Sequence, residues 1–239
     1  MTESIDGSVV LITGATGAIA QALIAELRAR GAAKVYAAAR DVSALRASDG
    51  IVPIKMDVTN DDDVARATAT ANDVTLLINN AGVNHNTGFM VAPDLAIARE
   101  EIEINYLAPL RVTKAFAPVL IANKGAVLNI LTILARVNLP FMGSYCASKA
   151  AALSLTQGLR GELAPKGVRV AAALPGAIDT RMTAMLTIPK MATADAAREI
   201  LDGFTAGEEE IYVGEMARGL AQGLAHDPKG VERQLAAPG

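Results

Sequence analysis

Short apolar runs alternate with segments of helical periodicity along almost the whole chain. Residues 8–13 (SVVLIT) are rich in β-branched side chains and bounded by Gly7 and Gly14, so they read as a buried parallel strand. Residues 17–30 place Ile19, Leu23, Ile24 and Leu27 on one side of a helix, and Gly31 stands where a C′ glycine ends it. Residues 34–39 (KVYAAA), 51–56 and 74–78 (VTLLI) predict the second to fourth strands. Between the last two lies a helix over 60–71, with Asn60 as N-cap and three aspartates against the positive end of its dipole.

Beyond residue 90 the helices lengthen. Residues 94–122 are mostly helical, with Pro109 and Pro118 expected to bend the helix or mark its turns. A fifth strand (126–131), a second long helix (144–164), a sixth strand (168–174) and a short seventh (211–213) follow. This alternation predicts right-handed βαβ units, hence an α/β fold: a doubly wound parallel sheet with helices on both faces. No linker composition appears, so one domain over 1–239 is expected. Segment 176–206, with Pro189 and scattered Met and Thr, is the least regular and is expected to form a lid.

Composition narrows the chemistry. Hydrophobic residues make up 51% of 239 and charged residues 20%, enough apolar side chain for a large core. The net charge of −3 comes without a basic block, which argues against nucleic acid. One cysteine and two separated histidines offer no disulfide framework, no cysteine-built zinc site and no histidine-rich metal site, and no metal is expected. No run approaches the ~18 apolar residues of a membrane span, and the polar start MTESIDG predicts no secretory signal. A cytoplasmic location is the expectation.

Candidate chemistry gathers at predicted strand ends. Residues 13–20 (TGATGAIA) join the first strand to the first helix. Small residues there (Gly14, Thr16, Gly17, Ala18, Ile19) let backbone approach a pyrophosphate, and the helix N-terminus offers N–H donors; a purely structural tight turn would look the same. The second strand ends in Ala39-Arg40. A carboxylate there would hold the ribose 2′-OH of NAD, whereas a guanidinium suits a 2′-phosphate, and NADP(H) is expected. Asp57-Val58 can reach adenine, and Asn79, Asn80, Ala81 and Gly82 offer amides and close backbone approach. Tyr145 and Lys149, four apart, share a helix face. An ammonium ~4 Å from a phenol is worth about 4 kcal/mol at an effective dielectric of about 20, enough to bring the phenol toward neutral pH as a proton donor and acceptor. Alone, a Tyr-x-x-x-Lys also describes an ordinary solvated helix face.

The set TGATGAIA (13–20), Asp57, NNAG (79–82), Asn105, YCASK (145–149) and PGAIDT (175–180), in that order, resembles the one-domain short-chain dehydrogenase/reductase family over about residues 7–213. The tail at 207–220 resembles bacterial carbonyl- or aldehyde-reductase-like members. The resemblance implies a Rossmann-type sheet of about seven strands and hydride transfer between nicotinamide and a carbonyl or alcohol. It makes Tyr145 the acid/base and has Lys149 lower the phenol's pKa and hold the nicotinamide ribose. Asn105 would position a water in a proton relay. Pro175, Gly176 and Ile178 would border the nicotinamide, and Thr180 would bond its carboxamide.

Three departures stand out: alanines at 18 and 20 where the family has glycines, Thr132 where it has serine, and Cys146 after the tyrosine, read as packing. His85, Leu134, Val137, Phe141 and Met182 are candidates for the substrate pocket; each also suits ordinary packing or a solvated loop. The small and apolar surfaces of 94–122 and 144–164 predict a homodimer or homotetramer. Two rival readings share the fold. A halohydrin-dehalogenase-like lyase would have Arg where Lys149 stands, and a non-catalytic NADP-binding protein would bind without hydride transfer.

Overall fold

The computed structural model describes residues 4–237. Seven parallel strands form one sheet in the order β3-β2-β1-β4-β5-β6-β7. They are β1 (Val9–Thr13), β2 (Lys34–Ala39), β3 (Ile51–Lys55), β4 (Leu76–Asn79), β5 (Ala126–Ile130), β6 (Arg169–Pro175) and β7 (Glu210–Val213). Burial of both sheet faces explains the apolar runs. Val10 and Ile12 of β1 face one layer with Leu23, Leu27, Ile200 and Phe204, while Leu11 faces the other with Val64, Phe116 and Leu120. Proline in a strand removes a ladder donor, and Pro53 lies in β3, at the sheet edge.

Helices α1 (Ala18–Ala29) and α6 (Thr193–Thr205) cover one face; α2 (Asp61–Thr70), α4 (Ala108–Ala122) and α5 (Gly143–Leu163) cover the other. The expected caps form: Asn60 accepts from the Asp63 N–H at 3.0 Å, and Gly31 has φ +88°. Helix α3 (Ala96–Ile102) continues through a π turn at Glu103–Leu107 into α4, which carries Pro118 inside it. Two differences from the sequence reading concern the C-terminal third. The expected irregular lid 176–206 is irregular only to residue 192, because α6 buries Ala196, Ala197, Ile200, Leu201 and Phe204. The tail continues as α7 (Gly214–His226) and α8 (Pro228–Ala236). Among the described residues no helix is long and apolar enough to cross a membrane.

The strand order reverses between β1 and β4. At such a switch point the loops leaving the carboxyl ends diverge to opposite faces and open a crevice.

Candidate active site

The loops after β1 and β4 are laced together. The Thr13 hydroxyl accepts the N–H groups of Asn80 and Ala81, each at 3.0 Å, and the Asn80 side-chain amide donates to the Thr13 carbonyl at 3.0 Å. Gly14 has φ +65°, and a Cβ added there would lie 2.9 Å from Ala81 Cα, so a side chain would force the loops apart. Gly17, the N-cap of α1, has no side chain to cap the first turn, whose N–H donors are left without a side-chain acceptor from the cap. Thr16 and Ala18 are exposed, whereas Ala20 is fully buried in the core. An alanine at 20 is packing, and the Ala18 methyl lies on the surface of the turn.

Arg40 is exposed just beyond β2 and makes no ion pair among the described residues. Asp57 accepts from the Thr59 N–H at 2.9 Å and the Thr59 hydroxyl at 2.7 Å; these bonds, the backbone one foremost, hold its carboxyl below the usual range, and Arg40 adds to the effect. Asn79 is turned inward, donating to Thr113 at 3.1 Å and Asn129 at 2.9 Å. A glycine cradle that a Cβ would fill, an uncapped helix start and an exposed guanidinium beyond the second strand fit a dinucleotide with an extra phosphate.

On the other side of the crevice, Tyr145 and Lys149 of α5 are 8% and 5% exposed. The Lys149 ammonium donates to the Ile130 carbonyl at 3.0 Å and sits 5.9 Å from the centroid of the Tyr145 ring. Gly82 makes room for it, since a Cβ there would lie 3.1 Å from Asn105 Oδ1 and 3.5 Å from Lys149 Nζ. Burial lowers the Lys149 pKa to about 8. Burial also raises that of Tyr145, with Cys146 and Glu101 adding to the rise. This corrects the expected depression of the phenol: in the free protein the ammonium is bonded to a carbonyl, and loss of water around the phenolate dominates.

Asn105 lies in the π turn and is 1% exposed. Its amide donates to the Val83 carbonyl and the Ser148 hydroxyl, and its oxygen accepts the Val83 N–H, each at 2.9 Å. Thr132, just past β5, accepts from the Leu134 N–H at 3.2 Å and donates to the Pro175 carbonyl at 3.3 Å. Beyond β6, Gly176 passes close to Met216, where a Cβ would meet another at 3.0 Å. Ile178 is buried and bridges to Met191, and Thr180 caps a short turn over Arg181–Thr183. Cys146 packs as expected, its thiol raised by burial and accepting from the Leu139 N–H at 3.4 Å.

The face around Tyr145 is apolar. Met142, Tyr145 and Cys146 cluster with Leu134, Leu139 and Leu186. Of the pocket candidates, Leu134 joins this cluster, Phe141 and Met182 stand exposed beside it in sequence, and Val137 is buried. The His85 imidazole turns to Glu100, with Nε2 2.9 Å from the carboxylate. Sequence reasoning missed Leu139 and Leu186, which lack periodicity. It also missed Ser144, Ser148 and Glu101, although the four-residue spacings Ser144–Ser148 and Glu101–Asn105 were readable.

The short chain dehydrogenase family matches residues 8–190. A short chain dehydrogenase from Burkholderia cenocepacia J2315, solved in complex with NADP, is 45% identical and superposes with a TM-score of 0.95 over 99% of this chain and 100% of that one. The cis-4-hydroxycyclohexanecarboxylate dehydrogenase of Sinomonas cyclohexanicum is 34% identical over 88% of each chain. The short-chain dehydrogenase ptmH of Penicillium ochrochloron is 35% identical over 72% of this chain, which spans 66% of that relative's length. With the seven-stranded sheet, the glycine turn and the Tyr145–Lys149 helix all in place, the chain belongs to the short-chain dehydrogenase/reductase family.

Proposed function

We propose that the protein is an NADP(H)-dependent oxidoreductase that interconverts a carbonyl compound and its alcohol. The observation that carries this reading is the crevice itself: a glycine cradle and Arg40 on one side, and the buried pair Tyr145 and Lys149 on the other. Bound nicotinamide supplies the hydride. The Tyr145 phenol, kept protonated by its burial, gives its proton to the carbonyl oxygen as the hydride reaches the carbon, and takes it back in the oxidative direction. The Thr132 hydroxyl orients the same oxygen. Lys149, buried and charged at neutral pH, stabilises the phenolate left behind and holds the nicotinamide ribose. Asn105 keeps the loop after β4 against α5 beside Lys149. Pro175, Gly176 and Ile178 would border the nicotinamide, and Thr180 would bond its carboxamide. The substrate is a small molecule with an apolar body, since Leu134, Leu139, Met142 and Leu186 pack in one apolar cluster with Tyr145. The exposed Ala147 and Ala150 on α5 support pairing with a second copy across a two-fold axis.

The testing experiment is a panel of aldehydes, ketones and alcohols followed by nicotinamide absorbance, with NADP and NAD in parallel. Turnover of uncharged carbonyls with NADPH is expected. Tight NADPH binding with no hydride transfer to any member of the panel would overturn the reading.

A further inference from the structure

Glu101 and Lys149 are the two charged side chains buried among the described residues. Lys149 has a place in the chemistry; Glu101, 1% exposed on α3, has none so far, and among the described residues no cation forms a salt bridge with it. A carboxylate tolerates such burial only where hydrogen bonds replace its water. Its oxygens divide the work. Oε1 accepts the backbone N–H of His85 at 2.9 Å, and Oε2 accepts the hydroxyl of Ser144.

One helical turn later Asn105 repeats the pattern, joining Val83 to Ser148. Glu101 and Asn105 are four apart, as are Ser144 and Ser148, while Val83 and His85 are two apart and each donates its backbone N–H to the ladder. The result is a two-rung ladder between the loop after β4 and α5. Its rungs land on the residues immediately before Tyr145 and Lys149. The same loop continues across the start of α5: the Gly143 N–H donates to the Thr87 carbonyl at 3.1 Å, and the Phe89 ring lies where a Cβ on Gly143 would meet it at 2.7 Å.

We propose that Glu101 is a positioning residue for Tyr145, clamping loop 83–89 onto the first turn of α5 and so setting where the phenol meets the substrate. The clamp rests on geometry alone; its kinetic consequence rests on the oxidoreductase reading. A neutral apolar side chain of similar length would fill the space without holding either partner. Glutamine would hold both, its oxygen accepting from His85 and its amide donating to Ser144.

The test compares Glu101→Met, Glu101→Gln and Ser144→Ala in the full chain, by steady-state kinetics, NADPH affinity and hydrogen exchange of residues 83–89. In Glu101→Met, kcat should fall by about ten- to 100-fold, the scale of a small misplacement of a reacting group, while NADPH affinity stays within about twofold. Exchange in 83–89 should rise. Glu101→Gln should recover most of kcat and of the protection, and Ser144→Ala should move both in the direction of Glu101→Met. A folded Glu101→Met with unchanged kcat and unchanged exchange overturns the proposal, as does Glu101→Gln as impaired as Glu101→Met. If Glu101→Met does not fold, Ser144→Ala decides in the same terms. Absence of turnover in the parent protein overturns the oxidoreductase reading instead, and loop exchange then decides the clamp.

Discussion

The Thr132 hydroxyl donates to the Pro175 carbonyl at 3.3 Å, tying the end of β5 to the end of β6. The bond is long for an O–H···O contact, so a substrate oxygen offering better geometry can take the donor. Thr132→Ser keeps the hydroxyl and should keep kcat or raise it. Thr132→Ala removes a donor to the developing oxyanion and should lower kcat by about 10²–10³. Equal kcat in the parent and Thr132→Ala would place the donor elsewhere.

Tyr145→Phe separates proton transfer from binding. The ring and its packing with Met142 and Leu186 remain, and the transferable proton is gone. Turnover should fall at least as far as in Thr132→Ala, with NADPH affinity nearly unchanged. Lys149→Ala should lose both turnover and affinity, because the ammonium is proposed to serve the phenol and the ribose. Fluorescence titration of NADPH beside steady-state kinetics distinguishes the two. Near-normal turnover by folded Tyr145→Phe would remove the phenol from the mechanism.

Lys149 makes stability depend on pH. Its folded pKa of about 8 lies below its ordinary 10.5, so between those values the unfolded chain binds more protons. Stability must therefore rise with pH across that window, and the penalty for a buried ammonium is complete below it, at about 3 kcal/mol. Tyr145 acts in the opposite sense: its folded pKa is raised above 10.0, so it subtracts stability as pH climbs past its unfolded value. In cofactor-free protein, Tm of the parent relative to Lys149→Met should climb from pH 8 to 10. A flat difference would mean that the lysine is not desolvated.

Arg40 should choose the cofactor. It is exposed beyond β2, and Ala39 offers no carboxylate for a ribose hydroxyl. A charge-assisted contact worth about 1–3 kcal/mol corresponds to about a five- to 150-fold preference in kcat/KM for NADPH over NADH. Arg40→Ala should erase most of it while leaving the NADH reaction alone. Equal efficiency with NADH in the parent would refute the assignment.

Much of this architecture was readable along the chain. A parallel strand buried on both faces must be a short apolar run, and SVVLIT, VTLLI and AVLNIL overlap β1, β4 and β5, with their ends shifted by one or two residues. Asn60 and Gly31 mark helix ends because capping and positive φ are local chemistry. Gly14, Arg40, Asp57, Tyr145 and Lys149 stand out by residue type and spacing; Gly14 and Arg40 lie just past the ends of β1 and β2, and Tyr145 and Lys149 are buried on α5.

What periodicity leaves open is which distant segments touch. Strand order decided that the end of β1 meets the end of β4, so Thr13 laces to Asn80 rather than to the loop after β3. Burial of Tyr145 beside Glu101 reversed the expected direction of its pKa, since desolvation depends on neighbours that lie elsewhere in the chain. In sequence, Glu101 reads as one acid among several on an ordinary helix, and only packing of α3 on α5 turns it into a buried clamp. The apolar face around the phenol takes Leu139 from one loop and Leu186 from another, segments with no repeat to announce them. Local patterns are set by backbone geometry over a few residues, whereas desolvation and long-range hydrogen bonds exist only once folding has brought distant segments together, as it does Glu101 with Ser144 and Thr132 with Pro175, each pair 43 residues apart.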